Sequence, residues 1–287
     1  MKQIIRYAVI DGANEEGLLD FLAEHNPPHC CLYAEPVQPE LIPLAPYLVE
    51  VDEVTSEWLS HRDSAWGIYL FSTAVMKDVR LHLRKFLQIL LPSEEKPVFF
   101  RFYDPRTIWT FCAALSPWEI HNFMGPVEKI VTAFNGEVTE EDFSQMRAQY
   151  QGVPYSKRKF FRLSQEQLDM LNERAEKDYI SKLTTLAEER YPAHSTNKSV
   201  ENEFSSTARV SMLSVAGLVE ECFIYCKSKS INDDLSIRSM VYLLLEKEID
   251  SVEYMPANWA ELLGDESLPG YYRVEKLSKK ELGYIPR

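Results

Sequence analysis

Positive charge is scarce in this chain. Lysine and arginine total 31 against 44 aspartates and glutamates in 287 residues, a net charge of −13. Nucleic-acid affinity rests on basic side chains displacing counterions, so a surface this acidic disfavours non-specific DNA or RNA binding and docking on anionic lipid. Long apolar runs are also missing. The best, Val210 to Cys226, is broken by Glu220-Glu221, too short and too charged to cross a bilayer. The opening MKQIIRYAVIDGANEE has no extended apolar stretch, so no signal peptide is expected. The five cysteines (Cys30, Cys31, Cys112, Cys222, Cys226) are odd in number and sit mostly among apolar residues. Reduced core thiols of a cytoplasmic protein are the expectation.

Catalytic signatures are absent too. There is no G-x-S-x-G, no P-loop and no G-x-G-x-x-G. His25, His29, Cys30 and Cys31 cluster, but adjacent cysteines in a strand face opposite ways and no second ligand pair completes a tetrahedral set. His61, His82, His121 and His194 are scattered. No metal, no cofactor and no enzymatic activity are expected.

What is present is enough apolar residue, 45% with 12% aromatics, to build a substantial core. The first half alternates strand-like and helix-like pieces. Strands are expected at Ile4–Ile10, Cys30–Ala34, Tyr47–Val51, Trp66–Ser72 and Val98–Tyr103, with helices at Glu15–His25 and Val75–Leu91. This alternation predicts an α/β lobe with a mixed sheet. Composition shifts near residue 143, where acidic GEVTEED (136–142) gives way to basic RAQYQGVPYSKRKFFR (147–162). The expected domains are therefore 1–143, a basic linker at 144–160, and 161–287. Beyond the shift the patterns are helical: Gln165–Arg190, Thr207–Cys226, Leu235–Lys247 and a short turn at Trp259–Leu263. An all-α lobe follows the α/β lobe.

RFYDPR (101–106) is the densest charge motif. An enzyme or nucleotide-binding protein could use Arg101, Asp104 and Arg106 in a cleft. The simpler reading makes Asp104 a helix N-cap with Pro105 at the first helical position, and the segment a strand–helix junction. Ser116-Pro117-Trp118-Glu119 and Ser164-Gln165-Glu166-Gln167 both spell capping boxes. The cationic run Lys157-Arg158-Lys159 reads first as a solvated linker, with docking of an acidic partner as the alternative. Trp118, Phe123, Trp259, Tyr271 and Tyr272 are aromatic anchor candidates, although aromatics at helical spacing belong more often to a core. The Tyr271-Tyr272 pair, on an expected irregular segment after Pro269-Gly270, is the best exposed of them.

The order of motifs resembles a known family. YAVIDGA (7–13), CLY (31–33), LAPYLVEV (44–51), WGIYLFSTA (66–74), LRKFLQILLP (83–92), FFRFYDPR (99–106) and LSPWEIHNFMGPVE (115–128) look like the adaptor domain of bacterial type VI secretion, in the Tap or TEC effector chaperones. RLSQEQLDML (162–171), SIRSMVYLLLEKEID (236–250) and NWAELLGDESLP (258–269) resemble the C-terminal lobe of those proteins more loosely. The resemblance implies a non-catalytic, cytoplasmic adaptor that binds a cognate toxin effector and helps load it onto the VgrG spike. It carries no catalytic residues over. An immunity-type protein that masks a toxin's active site would share the acidity and the compartment.

Overall fold

A computed structural model describes residues 3–192 and 214–286. The chain divides into two compact units, Met1–Arg174 and Ala175–Arg287.

The first unit is built on a six-stranded antiparallel sheet. Its strands are β1 (Ile5–Asp11), β2 (His29–Cys31), β3 (Pro46–Glu50), β4 (Gly67–Ser72), β7 (Val127–Phe134) and β8 (Glu137–Glu141), in the order β2-β3-β1-β4-β7-β8. Side chains of a strand alternate between faces, and β1 is buried on both. Tyr7 and Val9 enter a core with Val79, Leu83, Ile108, Phe111, Ile120 and Phe123. Ala8 and Ile10 enter a second core with Leu18, Phe21, Leu22, Leu59 and Trp66. Helices α1 (Leu18–His25) and α2 (Glu53–Ser60) therefore cover one face. Helices α3 (Met76–Leu83), α4 (Ile108–Ala114) and α5 (Pro117–Met124) cover the other. Gly67 starts β4 so close to Val9 that any Cβ would collide with the Val9 carbonyl oxygen. A smaller sheet, β6 (Val98–Phe99), β5 (Gln88–Leu90) and β9 (Phe161–Arg162), holds the parallel pair β5–β9 that makes the architecture mixed.

The α/β lobe followed by an all-helical lobe is thus observed, with local differences. The helix expected over Val75–Leu91 stops at Leu83, passes through a 3₁₀ turn at Arg84–Phe86 and becomes strand β5. An apolar run has no fixed period to separate the two, and β5 is decided by its distant partners β6 and β9. The strand expected over Val98–Tyr103 pairs only at Val98–Phe99, after which Phe102 and Tyr103 turn into the core. Strands β7 and β8 form a hairpin across Asn135-Gly136, both with positive φ (53° and 75°), a pairing that suits a two-residue turn.

The largest difference concerns residues 144–160. They are not a free linker, because this segment and its flanks pack on the first unit. Phe143, Met146 and Phe161 lie against its core, and Leu163 is 2% exposed within it. Helix α6 (Ser144–Arg147) directs Arg147 Nη1 and Nη2 to the carbonyls of Val127 and Gly125, each at 3.1 Å. The Tyr155 hydroxyl donates to the same Gly125 carbonyl at 2.8 Å. Positive charge and Gly/Pro content suggest solvent exposure, but here Arg147 and Arg162 reach main-chain acceptors and Met146, Tyr150 and Phe160 are half-buried. The division between units falls at Arg174, inside α7 (Gln165–Arg190).

The second unit is helical, with α8 (Val215–Ser228), α9 (Asp234–Glu246), α10 (Ala257–Leu263) and α11 (Gly270–Leu282). The expected helix Thr207–Cys226 is observed from Val215; its first seven residues, and His194, lie outside the described residues. Helix α9 is central, with Ser239 through Leu245 all buried. Arg273 on α11 is 2% exposed and donates to the carbonyls of Leu263 and Lys229, at the C-terminal ends of α10 and α8. A guanidinium there satisfies carbonyls that helix termini leave open.

Because Leu163 is buried in the core of the first unit and not part of a separate lobe beginning at residue 161, Leu163→Ala should destabilise that unit by about 2–5 kcal/mol in urea unfolding. A change below about 0.5 kcal/mol would contradict the packing of this segment.

Candidate functional site

The motif RFYDPR forms a junction held by two ion pairs. Arg101 Nη1 reaches Asp11 at 3.2 Å, and Arg106 Nη2 reaches Asp104 at 2.6 Å. Asp104 Oδ1 also accepts from the Arg106 amide and Nε, each at 2.9 Å. Helix α4 starts later than expected, at Ile108, with Thr107 at its cap position, so Asp104 closes the turn before the helix and is not its N-cap. Asp11 accepts from the Ala13 amide and from Asn14 Nδ2, each at 3.1 Å. Burial pushes the Asp11 carboxyl above its ordinary value, opposed by Arg101 and the Ala13 amide. The charges of this motif are thus directed at one another and at main chain.

The cysteines are free. Cys30 packs toward one core and Cys31 toward the other, the opposite orientations expected of strand neighbours. Burial pushes the Cys30 thiol up to about 11 and Cys112 up to about 12. Neither has the depressed pKa of a nucleophile. No group of three or more His, Cys, Asp or Glu suited to a metal occurs among the described residues. No helix among them is long and apolar enough to cross a membrane.

The cleft that gathers chemistry lies elsewhere in the first unit. It encloses about 440 Å³ and is lined from three directions. The end of α3 and the turn after it supply His82, Lys85 and Phe86. Helix α5 supplies Trp118, Glu119 and Asn122, and the returning segment supplies Tyr155, Ser156 and Arg158 through Arg162. Helix α5 owes its position to the capping box expected at Ser116. Ser116 Oγ accepts from the Glu119 amide at 3.4 Å, and Glu119 Oε2 accepts from the Ser116 amide at 2.9 Å. The second box is also formed, between Ser164 and Gln167, and Gln167 Nε2 donates to Glu119 Oε2 at 3.0 Å. The two boxes lock together, so the Glu119 carboxylate is engaged in holding α5 against the start of α7.

Trp118 is 37% exposed. Its ring stacks on His121 (centroids 5.5 Å apart) and meets the edge of Tyr150. Below the cleft, His82 is buried and its Nε2 donates to the Phe123 carbonyl at 2.7 Å. Burial pushes His82 down to about 4, aided by Lys85 and Arg147 and opposed by that hydrogen bond. Gly125, at φ 49°, passes so near the His82 ring that a side chain there would collide with it.

Of the anchor candidates, Trp118 and Arg158 meet at this cleft. Phe123 does not face a partner: it is 3% exposed and packs edge-on against Phe86 and Phe111. Trp259, 2% exposed, belongs to the core of the second unit. Tyr271 and Tyr272 are exposed, 56% and 45%, but on the first turn of α11 and not on an irregular segment. Both fall outside the buried stripe Arg273, Val274, Leu277 and Ser278 of that helix. The composition shift near residue 143, read as a boundary over 144–160, is the sequence signal for the cleft wall.

Residues 6–122 match the model of a domain of unknown function, DUF4123. The DUF4123 match takes in the RFYDPR junction and the α3 and α5 sides of the cleft, and ends at Asn122, before the 155–162 wall. Comparison with curated proteins and with solved structures returned no match.

A buried histidine held neutral makes stability depend on pH. With an ordinary value near 6.5 in the unfolded chain and about 4 in the folded one, the unfolded state takes up the proton first as pH falls. Stability should therefore drop between pH 6.5 and 4, by about 3 kcal/mol from this group, and the contribution is fully present above pH 6.5. Urea unfolding at pH 7 and pH 4 should show a smaller drop for His82→Gln than for the native chain. Equal drops would contradict the assignment.

Proposed function

We propose that this protein is a non-catalytic adaptor of bacterial type VI secretion, which binds a cognate toxin effector in the cytoplasm and assists its loading onto the VgrG spike. The order of motifs from YAVIDGA to LSPWEIHNF supports this, and the DUF4123 match covers nearly all of that stretch. DUF4123 is a domain found in the adaptors the sequence resembles. The observation that carries the reading is the open cleft on α5, with the exposed Trp118 beside Lys85 and Arg158. An indole fixed by stacking, exposed at the mouth of a cationic cleft, has the features of an interface anchor. The reading includes no turnover of a substrate and no nucleic-acid or membrane partner. An enzyme or nucleotide-binding protein centred on Arg101, Asp104 and Arg106 has less support, because both carboxylates of that junction accept hydrogen bonds from within it.

The test is genetic and biochemical. Deleting the gene should abolish delivery of one toxin while other secretion continues, and the purified chain should capture that toxin. Trp118→Ala should weaken capture by about 1–3 kcal/mol with little loss of stability. Normal delivery without the protein would contradict the proposal, as would turnover of a small-molecule substrate by the chain alone. Protection against the toxin without any effect on delivery would instead indicate an immunity protein.

A further inference from the structure

In a chain with a net charge of −13, the cleft on α5 concentrates cations that no acid neutralises. Lys85, Arg158 and Lys159 line it, and none makes an ion pair among the described residues. The carboxylate on the wall, Glu119, already accepts from the Ser116 amide, the Ser116 hydroxyl and Gln167. Arg162 is committed to structure, donating to the carbonyls of Leu91, Pro92 and Glu94.

The wall has a second property. From Tyr155 to Arg158 the backbone is in neither helix nor strand, and it enters β9 only at Phe161. The amides of Lys157, Lys159 and Phe160 find no acceptor among the described residues. Lys159 and Phe160 line the cleft, and free main-chain donors there can donate to the carbonyls of a bound peptide backbone. Trp118 offers an apolar anchor across from them, and the Lys159 ammonium lies 5.0 Å from the centre of the Phe160 ring.

We propose that this cleft is the receptor for an extended, acidic peptide segment carrying an aromatic or branched apolar residue. The carboxylates of the segment would meet Lys85, Arg158 and Lys159, its apolar residue would pack on Trp118, and its backbone would run along residues 157–160. A small phosphate-type anion fits less well. Such sites converge several donors on one point, whereas these cations extend from separate elements on flexible stems. The inference rests on the adaptor reading only for which protein supplies the segment.

The experiment uses the full chain and a fluorescein-labelled dodecapeptide of alternating Asp and Glu with one Trp and one Leu, read by fluorescence polarisation. A peptide with Lys at every acidic position is the control. The combined variant Lys85→Glu, Arg158→Glu, Lys159→Glu alters exposed side chains, and its thermal melt checks that the fold is kept. The acidic peptide should bind, the lysine peptide should not, and charge reversal should weaken binding by about tenfold or more. Trp118→Ala should also weaken it. Equal binding of the two peptides, unchanged affinity of the charge-reversed chain, or full displacement by millimolar inorganic phosphate would each overturn the peptide site. Capture of a partner protein is followed in parallel with both chains. Equal capture by the native and charge-reversed chains overturns the peptide site and leaves the adaptor reading standing. Charge-dependent peptide binding with no partner captured upholds the site and removes the adaptor reading.

Discussion

The return of residues 143–163 over the first unit is the constraint on which the cleft depends. This segment has little regular structure of its own, so its backbone cannot be satisfied by long ladders, and it is fastened instead at separate points. Arg147 and Tyr155 converge on the Gly125 carbonyl, the Ser156 amide donates to Asn122, and β9 adds to β5 before Leu163 enters the core. Gly125 is the pivot of this arrangement. Its positive φ exposes its carbonyl to two donors, and its missing side chain leaves room for the His82 ring. Between the fastening points the chain is irregular, bends at Lys159–Phe160, and leaves the amides of Lys157, Lys159 and Phe160 without acceptors among the described residues. That combination leaves unsatisfied donors on a surface anchored at several points, which suits recognition.

The same arrangement explains how an acidic protein presents a cationic site. Each arginine that holds the segment down directs its guanidinium at main-chain carbonyls, which removes it from the exposed charge. Lys85, Arg158 and Lys159 remain exposed because nothing acidic is placed opposite them. Glu119 would be the natural neutraliser, yet the interlocked capping boxes of α5 and α7 hold its carboxylate. A capping motif thus shapes the electrostatics of a neighbouring cleft.

Much of this was legible in the sequence where the signal was local. Both capping boxes, α7 over Gln165–Arg190 and the buried run of β1 follow from nearest-neighbour chemistry and are observed. What was lost depended on distant partners. β5 reads as helix until it finds β6 and β9, and β8 is an exposed strand of glutamates with no apolar alternation. The Asn135-Gly136 pair was the one available sign of that hairpin. Helix α11 hides its stripe because Arg273, the residue that caps two other helices, counts as polar. Of the site, Trp118 and Arg158 were named from exposed aromatics and charge, but nothing local could tell that Phe123, five residues on, points inward.

The most direct test is amide hydrogen exchange of the full chain, alone and with the protein it captures. The amides of Lys157, Lys159 and Phe160 should exchange fast in the free chain, since they lack acceptors among the described residues, and slow by about tenfold or more in the complex. Protection that leaves these amides and the α5 face unchanged, and appears only on the second unit, would contradict the cleft as the docking surface.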